Sequence, residues 1–280
     1  MPKPILFQAP DPLPGLSLEV ISITPRIAED WLSKNTHNRN VRPAMVDAYA
    51  RDMEAGKWTL NGEAIKFAKG GVLLDGQHRL HAVIKSNTTI KALVVRGVDP
   101  DVQDTMDTGA VRKYGDQLRL SGHRNASTLA SVARRVVLWE SGQRTNTGKI
   151  KATHSEMAEA LERYPGIAES ADFADQVRRL SGLPASIVGL AHFLFGQIDY
   201  EQAVWFLSRV ADGIGLPAGH PVLAFRDRVR KERDRGGRIH ETMLLALLIN
   251  AWNAYRAGET RTRLNLPKGG LNPASFPEPK

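Results

Sequence analysis

The apolar pattern changes character once along this chain, near Gly115, and that change limits the fold more than any other feature. Before it, apolar residues come in short alternating or continuous runs broken by turn residues, as strands interleaved with short helices require. From about Leu118 they recur at helical spacing over Leu129–Trp139, Met157–Tyr164, Ile187–Phe195, Ala203–Val210, Pro221–Arg230 and Glu241–Tyr255. The expected class is α+β, a mixed α/β N-terminal domain followed by an all-α helical C-terminal domain. The expected divisions are an extended arm over 1–17, the mixed domain over 18–115, the helical domain over 116–264 and a tail over 265–280.

Within the first half, "LEVISITP" (Leu18–Pro25) reads as a strand, followed by a short helix through Trp31 and Leu32. Met45, Tyr49 and Met53 recur every four residues, which predicts a helix from about Val41 to Ala55. Asn40 is its expected cap, Pro43 lies in its first turn and Gly56 is its stop. "EAIKFAKGGVLLDG" predicts two strands around Lys69-Gly70-Gly71, with Ile65, Phe67, Val72 and Leu74 as apolar positions. "TIKALVVRGV" is a further strand, and "DPDVQDTMDTGAVRKYGDQL" a loop and helix. In the second half, Thr153 and Glu156 form a capping box. "TMLLALLINAW" (Thr242–Trp252) is too short to span a bilayer and suits a central core helix.

Composition narrows the chemistry. No run approaches the roughly 20 apolar residues of a membrane span, and the first residues, "MPKPILFQAPDPLPGL", lack the apolar segment of a secretory signal. With no cysteine there is no thiolate ligand, thiol nucleophile or disulfide. The net charge of +8 is uneven: 15 basic and 13 acidic residues up to Gly115, then 23 and 17 after it. Such an excess either attracts a polyanion such as DNA or serves solubility alone.

Polar chemistry crowds into "LLDGQHRLHAV" (Leu73–Val83). Val72–Leu74 are expected to end a strand, Asp75 and Gly76 to turn the chain, and Gln77–Ile84 to begin a helix. The amides of a first helical turn and the helix dipole favour an anion at such a junction. Arg79 would grip phosphate oxygens, and His78 would supply a hydrogen bond or a proton. Asp75 either caps the helix, holds Mg²⁺ or accepts a proton. The structural alternative keeps Asp75 as a cap, Arg79 as an ion-pair partner and His78 as a surface residue.

"GQHRLHA" (Gly76–Ala82) resembles the signature of the ParB/sulfiredoxin superfamily, and "HNRN" before a helix, the "EAIKF" strand, a turn and a second strand match the context. The similarity covers about Leu18–Val98. It extends to bacteriophage ParB-like proteins, whose "DGQHRL" motif precedes a segment matched here by Met106, Asp107, Gly109 and Arg112. The resemblance implies a sulfiredoxin-like fold binding nucleotide phosphates (CTP in ParB, ATP in sulfiredoxins, ADP in the free-serine kinases) with Gly76, His78 and Arg79 as phosphate contacts. It also implies a bacterial host cytoplasm. Gln77 stands where sulfiredoxins carry their cysteine, which excludes sulfinic acid reduction, and His78 and Gln77 depart from the ParB pattern.

Asp75, Glu63 and His78 are the candidate catalytic residues, and Asp75 is also the candidate Mg²⁺ ligand. Gly76, Gln77, His78, Arg79, Asn38, Arg39, Asp107 and Arg112 are candidate nucleotide contacts. Each has a plain alternative: Glu63 an exposed strand-end acid, Asn38 a cap, Asp107 and Arg112 an ion pair. His78 and His81 lack a third ligand at zinc spacing, and neither a Walker loop nor a G-x-S-x-G elbow is present. "RDRVRKERDRGGR" (Arg226–Arg238), with seven basic and three acidic residues, reads as a solvated face before a DNA surface. The leading expectation is therefore binding of ATP, ADP or CTP with Mg²⁺, with phosphoryl transfer or NTP hydrolysis as its chemistry. The alternatives are a DNA-binding partition or regulatory factor using the basic half and, third, a ParB-like nuclease.

Overall fold

The computed structural model describes residues 15–36, 38, 40–106, 113–145, 150–236, 239–267 and 269–280. It is mixed α/β and divides into two compact units, Met1–Ala110 and Val111–Lys280. No helix among the described residues is long and apolar enough to cross a membrane.

The first unit contains β1 (Ser17–Ile23), α1 (Pro25–Leu32), α2 (Pro43–Glu54), β2 (Ala64–Ala68), β3 (Leu73–Asp75), α3 (Gln77–Ser86) and β4 (Ile90–Val98), then a short 3-10 helix, Pro100–Thr105. The strands form one sheet in the order β1-β4-β2-β3. β1 runs antiparallel to β4, β4 parallel to β2, and β2 antiparallel to β3. The parallel pair is joined through α3, as parallel neighbours need a crossover. Ile65, Phe67, Ile23 and Val94 bury one face of the sheet with Trp31 of α1, Met53 of α2, and Leu80 and Val83 of α3. Trp31 meets Phe67 edge to face at 5.1 Å, and the Arg96 guanidinium lies 4.7 Å from the Phe67 ring centre.

Two local features set up the site. Phe67 pairs with Leu73 while Lys66 pairs with Asp75, so Leu74 is an extra residue in β3 and the bulge brings Asp75 opposite Lys66. The helix expected from Val41 begins instead at Pro43. Proline disfavours helical geometry in the residue before it, and Arg42 is accordingly an extended N-cap with φ −98° and ψ 103°. Asn40 is therefore not the cap.

The second unit is built from α4 (Tyr114–Leu120), α5 (Ala126–Glu140), α6 (His154–Arg163), α7 (Gly166–Ser181), α8 (Ala185–Gly196), α9 (Tyr200–Asp212), α10 (Pro221–Asp234) and α11 (Glu241–Arg256). The capping box of α6 forms in both directions, Glu156 N–H to Thr153 Oγ1 at 3.2 Å and Thr153 N–H to Glu156 Oε2 at 2.7 Å. α8 and α11 are buried along most of their length, and Phe195 stacks on Trp252 at 4.5 Å.

Two expected divisions shift. Tyr114 and Leu118 belong to the helical core, so a boundary after Gly115 falls inside α4. The segment expected as a tail is packed: Phe276 is buried in the core, and Lys280 C=O accepts from the Trp252 indole N–H at 3.0 Å. The indole needs that acceptor because its ring is buried.

His192 of α8 is 2 % exposed. Its Nδ1 lies 2.9 Å from Ser170 Oγ, its ring stacks on Phe173, and its Nε2 is buried without a hydrogen-bond partner among the described residues. Burial pushes its pKa below the ordinary value, opposed in part by Glu169, whose carboxylate accepts from the Tyr200 hydroxyl. An unfolded chain takes up this proton at about pH 6.5, whereas the folded chain refuses it until a lower pH. The unfolded state therefore gains protons first, and the second unit loses stability as pH falls from about 6.5 toward the folded value. Urea unfolding midpoints across that interval should fall less steeply in His192→Gln than in the parent; equal slopes would remove His192 as the cause.

Candidate functional site

The junction of β3 and α3 is glycine-dependent for a packing reason. Gly76 is the N-cap of α3 at φ 110° and ψ 0°, a left-handed geometry costly for other residues. A Cβ built there would lie 2.9 Å from Ile65 Cγ1, and Ile65 is fully buried in β2. The absent side chain thus seats the turn against the sheet. That, rather than a ligand's approach, is the demand seen at the position.

Asp75 does not cap α3. Its Oδ2 accepts from Lys66 Nζ at 3.3 Å and from Arg79 Nη2 at 3.2 Å, so two cations share one carboxylate and the group carries a net positive charge. The repulsion that a lone Asp75 would exert on a phosphate is thereby offset. Lys66 was missed by sequence reasoning. It alternates with Ile65 and Phe67 as any outward strand residue does, and only the bulge in β3 sets it against Asp75.

Arg79, in the first turn of α3, is engaged by the protein's own backbone. Its Nη1 donates to Glu63 C=O at 2.7 Å and its Nη2 to Ala64 C=O at 2.7 Å. The forked guanidinium therefore ties the start of β2 to α3. Both terminal nitrogens thus serve the protein's own acceptors, where the sequence suggested a phosphate grip.

The loop between α1 and α2 is hooked onto the same junction. Asn35 Nδ2 donates to Gln77 Oε1 at 3.1 Å, and Asn38 Nδ2 donates to Asn35 Oδ1 and to Leu73 C=O, both at 2.7 Å. Gln77 is 4 % exposed, which suits a structural bond better than the expected ligand contact. Arg42 N–H donates to His78 Nε2 at 3.0 Å. An accepting Nε2 places the proton of a neutral imidazole on Nδ1, so His78 anchors the entry to α2.

Glu63 contributes its backbone to Arg79 and holds its side chain exposed just before β2. The structure thus gathers Glu63, Asp75, Gly76, Gln77, His78, Arg79 and Asn38 at one junction and adds Lys66, Asn35 and Arg42. Arg39, Asp107 and Arg112 lie outside the described residues. Among the described residues no group of three or more His, Asp or Glu side chains could hold a metal.

In the second unit, three arginines of the basic run donate to backbone carbonyls. Arg226 Nη1 donates to Val210 C=O and Ala211 C=O at 2.5 and 2.8 Å, Arg233 Nη2 to Gly182 C=O at 2.7 Å, and Arg228 Nη1 to Leu264 C=O at 3.2 Å. The first two sit at the C-terminal ends of α9 and α7, where cations complement the helix dipole. The solvated face expected for the run is true only of part of it.

Compared with protein-family models, with curated proteins and with solved structures, the chain matches none of them.

Proposed function

We propose that the first unit is a ParB/sulfiredoxin-like module that binds a nucleotide by its phosphates at the β3–α3 junction. The observation that carries this reading is the position of Lys66. Its ammonium has three donors and is seen donating one to Asp75, one residue before the glycine-led start of α3. Net positive charge beside the positive end of a helix favours phosphate oxygens. Lys66 takes the part the sequence suggested for Arg79, while Asn38, Gln77 and His78 hook the neighbouring loop onto the junction. The donor set suits Mg²⁺ only as the counter-ion of the phosphates, with Asp75 as its single protein carboxylate.

Phosphoryl transfer or hydrolysis at this junction would rest on positioning and charge, with the exposed Glu63 carboxylate as the group available to activate an acceptor. The DNA-binding alternative has less support, because Arg226, Arg228 and Arg233 are engaged by backbone. A nuclease has no carboxylate cluster among the described residues to build on.

Calorimetric titration with ATP, ADP, CTP and GTP in the presence of Mg²⁺ tests the reading. At least one nucleotide should bind, and Lys66→Gln should weaken it about tenfold without changing the thermal midpoint appreciably, since Lys66 makes a partly exposed ion pair. Absence of heat for all four, or equal affinity in the variant, would overturn it.

A further inference from the structure

A groove of about 190 Å³ in the second unit lies between the end of α7, the end of α9 and α10. Its floor is apolar, formed by Leu183, Val210, Phe225 and Val229. Along α10, Arg226, Arg230 and Arg233 line it at i, i+4 and i+7, a single helical stripe about 10 Å long at 1.5 Å per residue. One carboxylate, Asp234, shares the lining.

The two outer arginines are fixed. Arg226 is held by the last carbonyls of α9 and Arg233 by the carbonyl after α7. Arg230 between them is 68 % exposed, and its ion pair with Asp227 is stretched to 3.9 Å. Large apolar side chains lie open near both ends. Leu180, in the last turn of α7, is 72 % exposed, and Ile214, just after α9, is 66 % exposed. Gly182 abuts Arg233 and Gly213 abuts Arg226, which places these two apolar residues next to opposite ends of the arginine stripe.

Isolated exposed apolar residues need no explanation. Two of the most exposed, flanking an arginine-lined groove with an apolar floor, combine an anchor with a charge requirement. We infer that this groove docks an acidic, amphipathic segment of a partner protein, its apolar side chains covering Leu180 and Ile214 and its carboxylates meeting Arg230. A nucleic-acid strand fits the strip less well, because its phosphates would leave the apolar ends uncovered. The inference is independent of the nucleotide reading, since it concerns the other unit.

The test uses the full chain and fluorescence anisotropy of a labelled, designed peptide that forms an amphipathic helix of Leu, Glu and Asp. The controls are the same peptide with Lys in place of the acids, and a labelled single-stranded oligonucleotide. The acidic peptide should bind and the basic one should not, with about tenfold weaker binding to Arg230→Glu and to Leu180→Asp. Both substitutions fall on exposed side chains, and unchanged circular dichroism and thermal midpoints confirm that each variant is folded. Absent binding of the acidic peptide, equal binding to both variants, or an oligonucleotide that alone responds to Arg230→Glu would each overturn the inference.

Discussion

Replacing Arg79 by Ala is expected to destabilise the first unit by about 3 kcal/mol. The side chain is 13 % exposed and donates to two backbone carbonyls as well as to Asp75. Truncation leaves the Glu63 and Ala64 carbonyls without that donor and removes one of the two cations on Asp75. Lys66 remains to neutralise the carboxylate, which keeps the loss below that of a fully orphaned charge. Arg79→Lys should recover the ion pair but not the fork onto both carbonyls. Urea unfolding measures the total, and amide hydrogen exchange should place the lost protection in β2, β3 and α3. A loss under about 1 kcal/mol, the size of an exposed ion pair, would show that the clasp is not holding these elements together. The contrast with Lys66→Gln separates scaffold from ligand contact: Arg79→Ala should change stability, Lys66→Gln affinity.

That contrast also marks how far the sequence could be read. Strand, turn and helix at "LLDGQHRLHAV" follow from alternation and from Gly76, and the structure places them at Leu73–Asp75, Gly76 and Gln77–Ser86. That Asn38 and Glu63 lie beside Asp75, His78 and Arg79 was an expectation drawn from the layout the resemblance implies, since no local pattern joins these separate segments. The direction of Arg79 was not legible. Helix positions alone cannot say whether a guanidinium finds phosphate or carbonyl, and here the start of β2 supplies acceptors within reach. The Lys66–Asp75 pair was hidden by a one-residue bulge, a long-range feature with no local signature. α7 escaped because its buried face is largely small residues, Ser170, Ala171 and Ala174 beside Ile167, so its apolar periodicity is faint.

Trp252→Ala should be the most damaging single change in the second unit, costing about 4 kcal/mol. The indole is fully buried and stacks on Phe195, and Phe206 meets it edge on at 5.4 Å. Its N–H also holds Lys280 C=O, while Asn253 Nδ2 donates to Glu278 C=O at 2.9 Å and Asn253 Oδ1 accepts from Lys280 N–H at 2.9 Å. Two adjacent side chains of α11 therefore join the core to a segment rich in proline and glycine that reads, by composition, as a loose tail. Trp252→Phe separates the two contributions, keeping most of the stacking while deleting the donor, and should cost about 1–2 kcal/mol. If the segment is part of the core, both variants should raise hydrogen exchange in the peptide containing Phe276, Glu278 and Lys280, and Trp252→Phe should do so at a small loss of global stability. Unchanged exchange there in Trp252→Phe would mean that the Asn253 bonds and the burial of Phe276, and not the indole bond, fasten the segment.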